Sequence, residues 1–138
     1  MFIPHKWHHE SEPWEKKPAA NGLTLHVGTA LVFASGNLAK ATGTNKPEYI
    51  CMEEVTTTEA GQMIHVERVR PETEYETELS VAAASIKVGG KHTIATDGEM
   101  ITATTEGGVA EVTDTKRPTA CSCTFRVWKV APFAWAIA

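Results

Sequence analysis

Residues 92–104 read HTIATDGEMITAT. Two runs rich in Thr and Ile flank Asp97-Gly98. Asp-Gly between β-rich runs is a strong signal for a two-residue hairpin turn, because both central turn residues must take positive φ. The same texture continues in both directions. LTLHV (23–27), ALVFAS (30–35), PEYICMEEV (47–55), MIHVERV (63–69), MITATT (100–105), VAEVTD (109–114) and CTFRVWKV (123–130) are short apolar runs punctuated by Gly. Such runs read as strands. Gly61-Gln62 marks a second hairpin within CMEEVTTTEAGQMIHVERV, and Gly107-Gly108 a further turn before VAEVTD. Only SVAAASIK (80–87) has a helical texture, and its Val and Ile leave it ambiguous. The expected fold is all-β: a small β-barrel or β-sandwich built of hairpins, with an extended N-terminal arm.

The hairpin also has an echo. VGTALVFASGNLAKAT (27–42) parallels VGGKHTIATDGEMITAT (88–104) once a gap is allowed at Asp97. Each copy opens on Val-Gly, where glycine permits a tight entry. Chance similarity between low-diversity β segments explains the match as readily as a repeat does.

Three parts are expected: an arm over residues 1–21, a core domain over 22–131 and an apolar tail over 132–138. The arm carries Pro4, Pro13, Pro18 and an Asn21-Gly22 turn signal. Proline fixes φ and removes a donor, so the stretch is expected to be neither helix nor interior strand. Its Phe2, Ile3, Trp7 and Trp14 are unusual for a disordered tail, and such residues normally bury against something.

Composition narrows the function. The 138-residue chain is 42% hydrophobic and 22% charged with a net charge of −4, ordinary for a soluble domain and unfavourable for a phosphate backbone. Residues 48–80 hold nine Glu against Arg68 and Arg70, a local net of −7. An asymmetry of that kind suggests a docking surface or a solvated rim. Three cysteines in a chain of this length do not make a secreted disulfide framework, and a reducing cytoplasm fits better. The N-terminus has no apolar signal-peptide region, and VAPFAWAIA is too short to cross a bilayer.

Few motifs offer chemistry. His5, His8 and His9 could contribute to a zinc or nickel site, but a structural zinc wants four fixed ligands and no cysteine lies near. The alternative is that these rings, with Trp7 and Trp14, pack and hydrogen-bond at an interface. In CSCTFRVWKV, Cys121, Cys123, Phe125 and Val127 share one strand face, which suits core packing. In PETEYETELS, Glu72, Glu74, Glu76 and Glu78 share a face with Thr73, Tyr75, Thr77 and Leu79 opposite. This acidic comb suits a solvated face, a face that meets a basic partner, or the guard of an edge strand. Asp97 is a turn former first, and His26, His65 and His92 show no partner that would make one a base. No catalytic residue, metal or cofactor is expected.

LVFASGNLAKATGTNKPEYICMEEV (31–55), IHVERVRPETEYETEL (64–79) and SIKVGGKHTIATDGEMITATTEGGVAEVTDT (85–115) together resemble head decoration, or capsid cement, proteins of tailed bacteriophages. The shared pattern is a β segment, a hairpin such as SGNLAKATGTNKPEYI, then Lys-Val-Gly leading to a hairpin and a Gly-Val-Ala-Glu-Val segment. The resemblance covers residues 23–130. It departs at APFAWAIA and at the aromatic N-terminus. It implies a non-enzymatic virion protein, made in the bacterial cytoplasm, that binds the outer surface of the major capsid protein lattice. It also implies a symmetric homo-oligomer, a trimer or similar cluster, with no nucleic-acid or membrane partner. Phe2, Ile3, Trp7, His8, Trp14, Phe133 and Trp135 would be the capsid or subunit contacts, and Glu72, Glu74, Glu76 and Glu78 an acidic docking face. The alternatives are a tail or baseplate β-module and a glycan-binding β-barrel.

Overall fold

The computed structural model of the chain describes residues 1–7, 14–71, 73–80, 86–117 and 120–125. Its regular elements are all strands: β1 (Ile3–Trp7), β2 (Trp14–Ala19), β3 (Thr24–Leu25), β4 (Ala30–Ala34), β5 (Asn37–Lys40), β6 (Tyr49–Cys51), β7 (Val55–Thr56), β8 (Gln62–Arg68), β9 (Thr73–Leu79), β10 (Lys91–His92), β11 (Met100–Ile101), β12 (Ala110–Arg117) and β13 (Ala120–Thr124). The all-β expectation holds. Strand β2 closes a barrel in the order β2-β5-β4-β6-β8, and β1-β9-β13-β12-β10 form a sheet to which β11 adds on β9. A two-stranded ribbon, β3 with β7, accompanies the barrel.

Two cores follow from strand alternation. Leu31, Leu38, Cys51, Ile64 and Val66 fill the barrel, with Leu25 from the ribbon among them. Thr57 ties the ribbon down: its hydroxyl donates to the Ala20 carbonyl at 2.6 Å and accepts from the Leu23 amide at 2.8 Å. The second core joins barrel and sheet. Ala30 and Ile50 from the barrel wall cluster with Tyr75, Ile94, Ile101, Val112, Cys123 and Phe125.

Residues 3–7 and 14–19 are extended as expected, but they are not separate from the core. Strand β1 pairs antiparallel with β9, and β2 pairs with β8 from Trp14↔Glu67 to Ala19↔Gln62. The core therefore starts well before residue 22. Phe2 is fully buried, its ring 5.1 Å from that of Phe125 in an edge-on packing. The prolines fit because of where they fall. Pro4 lies on the outermost strand of its sheet, beside an irregularity in register between Pro4 and Lys6. Pro18 pairs with Met63 on β8, and the contact of β2 with β5 comes only at Ala19↔Leu38. A missing amide donor is tolerated at edges and bulges. The C-terminal expectations, residues 132–138 with Phe133 and Trp135, lie outside the described residues, as do residues 81–85 of SVAAASIK.

Both halves of the internal echo are hairpins, and they touch. Ala30 N–H donates to the Gly98 carbonyl at 2.8 Å, and Gly43 and Ile94 exchange amide bonds at 2.7 and 3.1 Å. The first turns through Ser35-Gly36, with φ of 54° and 87°, the two positive values that a type I′ turn demands. The second is a hairpin with a longer loop than expected: Ile94 bridges Ile101, and Gly98 N–H closes back on the Ala95 carbonyl at 3.0 Å. Asp97 does not take positive φ there. Its carboxylate accepts the Glu99 amide at 2.8 Å, a local bond that stabilises the longer loop. At Gly61 the chain turns as expected, yet the strand before it, β7, pairs with β3, and β8 pairs with β6. Gly28 explains one Val-Gly opening: φ is 99°, and a Cβ there would stand 2.4 Å from the Met1 Cβ.

Candidate functional site

The acidic comb is present as a face. Along β9, Thr73, Tyr75, Thr77 and Leu79 are buried, Glu76 and Glu78 are exposed, and Glu74 is half-buried. The comb does not guard an edge, because β1 and β13 flank β9 on either side. It is open sheet surface instead. Glu74 accepts a hydrogen bond from the Thr113 hydroxyl at 3.3 Å, and Glu72 lies outside the described residues. Ile3 of β1 is the register partner of Glu76. Met1 and Ile3, 37% and 38% exposed, form with Glu76, Thr77 and Glu78 the walls of a shallow hollow of about 230 Å³.

A second surface lies on the barrel. Trp14 opens β2 and is 58% exposed; on β8, Met63 is 54% exposed. The Trp14 indole stands 6.4 Å from the His65 ring, centroid to centroid. His65 is itself held: its Nδ1 lies 3.1 Å from Glu53 Oε2, which also accepts the His65 amide at 2.6 Å. A parallel pair joins His26 Nδ1 to Glu54 Oε1 at 2.7 Å, with the Val27 amide on the other oxygen at 2.8 Å. The hydrogen bond that the Glu54 carboxylate accepts from the His26 ring raises the His26 pKa and lowers that of Glu54. Sequence reading found no partner for either histidine. The consecutive Glu53-Glu54 was the available signal, but it becomes readable only once strand pairing brings residues 26 and 65 alongside.

The third feature is a groove of about 570 Å³ lined by Val32, Lys46, Pro47, Glu48, Arg68, Val69, Arg70, Pro71 and Phe125. Arg68 is braced: its guanidinium donates to Glu15 at 3.3 and 3.4 Å and lies 5.2 Å from the centroid of the Tyr49 ring. Burial opposes the charge on Glu15, but the hydrogen bonds from Arg68 and Lys17 outweigh it and hold the carboxyl below its ordinary value.

The cysteines are packing residues. Cys51, Cys121 and Cys123 are free and buried. Burial pushes the Cys121 thiol up to about 11 and raises the other two. A thiol so disposed is a poor nucleophile. Among the described residues, no three His, Cys, Asp or Glu side chains converge as a metal site would require.

The expected interface residues therefore separate. Phe2 is core, Ile3 flanks the acidic face and Trp14 stands exposed on the barrel. Trp7 is placed by its backbone pairing with Thr73, and His8 lies outside the described residues. No family model matches this chain, and no curated protein matches it.

Proposed function

We propose that this chain is a non-enzymatic structural protein of a tailed-phage virion, decorating the capsid and stabilising it by binding the outer surface of the major capsid protein lattice. Made in the bacterial cytoplasm, it reaches the virion by that contact. The observation that carries the reading is Trp14. An indole 58% exposed on a strand of a closed barrel is costly in water and preorganised for a partner. Tryptophan is among the residues that most often dominate interface energetics. Met63 and His65 extend the surface around it. The resemblance of residues 23–130 to capsid cement proteins supplies the class of partner. Its loss of a free arm changes the contact, not the role: the lattice would meet a rigid wall and not a threading tail.

A glycan-binding barrel is the second reading, favoured by the same exposed indole beside a hydrogen-bonding His65–Glu53 pair. Co-sedimentation with bare capsids of the encoding virus separates the two. Wild-type chain is expected to pellet with capsids, and Trp14→Ala to lose affinity by at least about tenfold, as removal of an interface anchor does. A Trp14→Ala variant that pellets like wild type removes the anchor from the proposal. A wild type that ignores capsids but binds a glycan array through Trp14 replaces the reading. Deleting residues 1–20 is not a usable test, because it removes β1, β2 and Phe2 from the fold.

A further inference from the structure

We propose that Asn21 is the chain's site of spontaneous deamidation, and that Thr57 sets its rate by holding the attacking nitrogen, the Gly22 amide, in a hydrogen bond. The proposal is independent of the surface at Trp14 and of any partner. It rests on one motif and on the contacts around it. The chain has three asparagines, Asn21, Asn37 and Asn45, followed by Gly22, Leu38 and Lys46. Before glycine no side chain hinders the approach of the asparagine carboxamide to the next amide nitrogen. Asn21 and Gly22 form an exposed turn between β2 and β3, open to water. A Cβ placed on Gly22 would meet nothing within 4 Å, so the turn has room for a five-membered ring.

The reaction consumes only water. The Gly22 nitrogen loses its proton and bonds to the side-chain carbonyl carbon of Asn21. Ammonia leaves as the carbon–nitrogen bond of the carboxamide breaks. Water then opens the resulting succinimide at either carbonyl. One opening leaves aspartate; the other leaves isoaspartate, with the main chain rerouted through the former side chain. Nothing is oxidised or reduced: one water is taken up and one ammonia is released. Either product adds a negative charge to a chain whose net is −4. Isoaspartate also adds a methylene to the main chain between β2 and β3.

The fold restrains the first step. Gly22 N–H donates to the Thr57 carbonyl at 3.1 Å, and Thr57 N–H donates to the Leu23 carbonyl at 2.8 Å. The Thr57 hydroxyl ties down Ala20 and Leu23 on either side of the motif, at 2.6 and 2.8 Å. Thr57 itself is 2% exposed, so this anchor is part of the interior. Ring closure takes the proton from Gly22 N and draws that nitrogen to the side chain, which breaks its bond to Thr57. Attack therefore waits for a local opening in which Ala20–Leu23 leaves Thr57. The residue that seats the β3–β7 ribbon thereby also protects the turn beside it.

The test is incubation of the full chain at mildly alkaline pH, with peptide mapping by mass spectrometry to count the replacement of –NH2 by –OH at each asparagine. In guanidinium chloride Asn21 should deamidate ahead of Asn37 and Asn45, and isoaspartate should exceed aspartate among its products. In the native chain the Asn21 rate should be at least about tenfold lower, because only the opened turn reacts. A native rate too slow to detect beside a measurable denatured one is the same result. Thr57→Ala removes both hydroxyl bonds and should speed native deamidation by about threefold or more, whereas Thr57→Ser keeps them and should match wild type. Circular dichroism checks that each variant folds, and the comparison of native with denatured wild type stands without either. Equal rates in the native and denatured wild type overturn the proposal. So does a denatured chain in which Asn37 or Asn45 reacts first, or in which Asn21 yields aspartate alone. A folded Thr57→Ala variant that deamidates at the wild-type rate overturns the role of Thr57.

Discussion

Replacing Phe2 by alanine tests whether the N-terminal strand belongs to the core. Phe2 is fully buried, packs edge-on against Phe125 at 5.1 Å, and shares its cluster with Tyr75 and Ile101. Its amide donates to the Gly28 carbonyl at 2.7 Å, so the backbone is pinned where the ring inserts. Truncating a buried phenylalanine costs about 3–5 kcal/mol, the removed area and the cavity acting together. Loss of the aromatic pair with Phe125 accounts for about 1 kcal/mol of that. At about 3–5 °C per kcal/mol for a domain of this size, the midpoint should fall by roughly 10–25 °C. Ile3→Ala is the internal control: Ile3 is 38% exposed on the same strand, and its loss should cost less than about 1 kcal/mol. Urea unfolding followed by far-UV circular dichroism measures both. If Phe2→Ala lies within about 1 kcal/mol of wild type, the first strand is a loosely held arm after all, and the packing argument fails.

Other outcomes follow from single contacts. Gly28→Ala should destabilise by at least about 2 kcal/mol in the same assay, because its φ of 99° is strained for any Cβ and the new atom would meet Met1 and Phe2. The folded pKa of His26 is raised, so the stability it contributes is present below its ordinary pKa and lost as pH rises through the folded value; that of Glu54 is lowered, so its contribution is present above its ordinary pKa and lost as pH falls through the folded value. The pair therefore contributes most between the two ordinary values, about 4.5 and 6.5, and an NMR titration should show the His26 pKa drop toward normal in Glu54→Gln. The three thiols should be silent to a disulfide reagent in the native protein and should all react in denaturant, since each is buried with a raised pKa. Rapid native labelling of Cys121 or Cys123 would place β13 at the surface.

Most strands were legible because period-two alternation survives in short runs. TEYETEL reads buried and exposed in turn along β9, as its letters suggest. Cys121, Cys123 and Phe125 fall together in the core for the same reason. What stayed hidden depends on pairing across long separations. Pro4 and Pro18 argued against interior strands, yet each sits where its missing donor does no harm, and only the topology shows that. Of the readings open for the acidic comb, the edge guard fails because β1 lies beside it, which nothing local reveals. The basic groove gathers Lys46, Arg68 and Arg70 from two segments that become neighbours through the β6–β8 ladder. Asp97-Gly98 misled in detail because an Asp side chain can stabilise a longer turn as readily as a tight one.

The packing of Phe2 on Phe125 also sets an order of events during synthesis. The two rings are separated by 125 − 2 = 123 positions along the chain. Strand β1 can find its partner only after β9 exists, and its ring only after β13 has left the ribosome. Until then the aromatic N-terminal segment travels with no place to go, next to a barrel whose own strands end at Arg68. The barrel can close first, and the sheet is assembled on it from both ends of the chain at once. Such long-range closure makes folding slow and leaves an apolar segment unprotected while it waits. A nascent chain halted shortly after β9 should therefore bind chaperones through its first residues, and release should coincide with the emergence of β13.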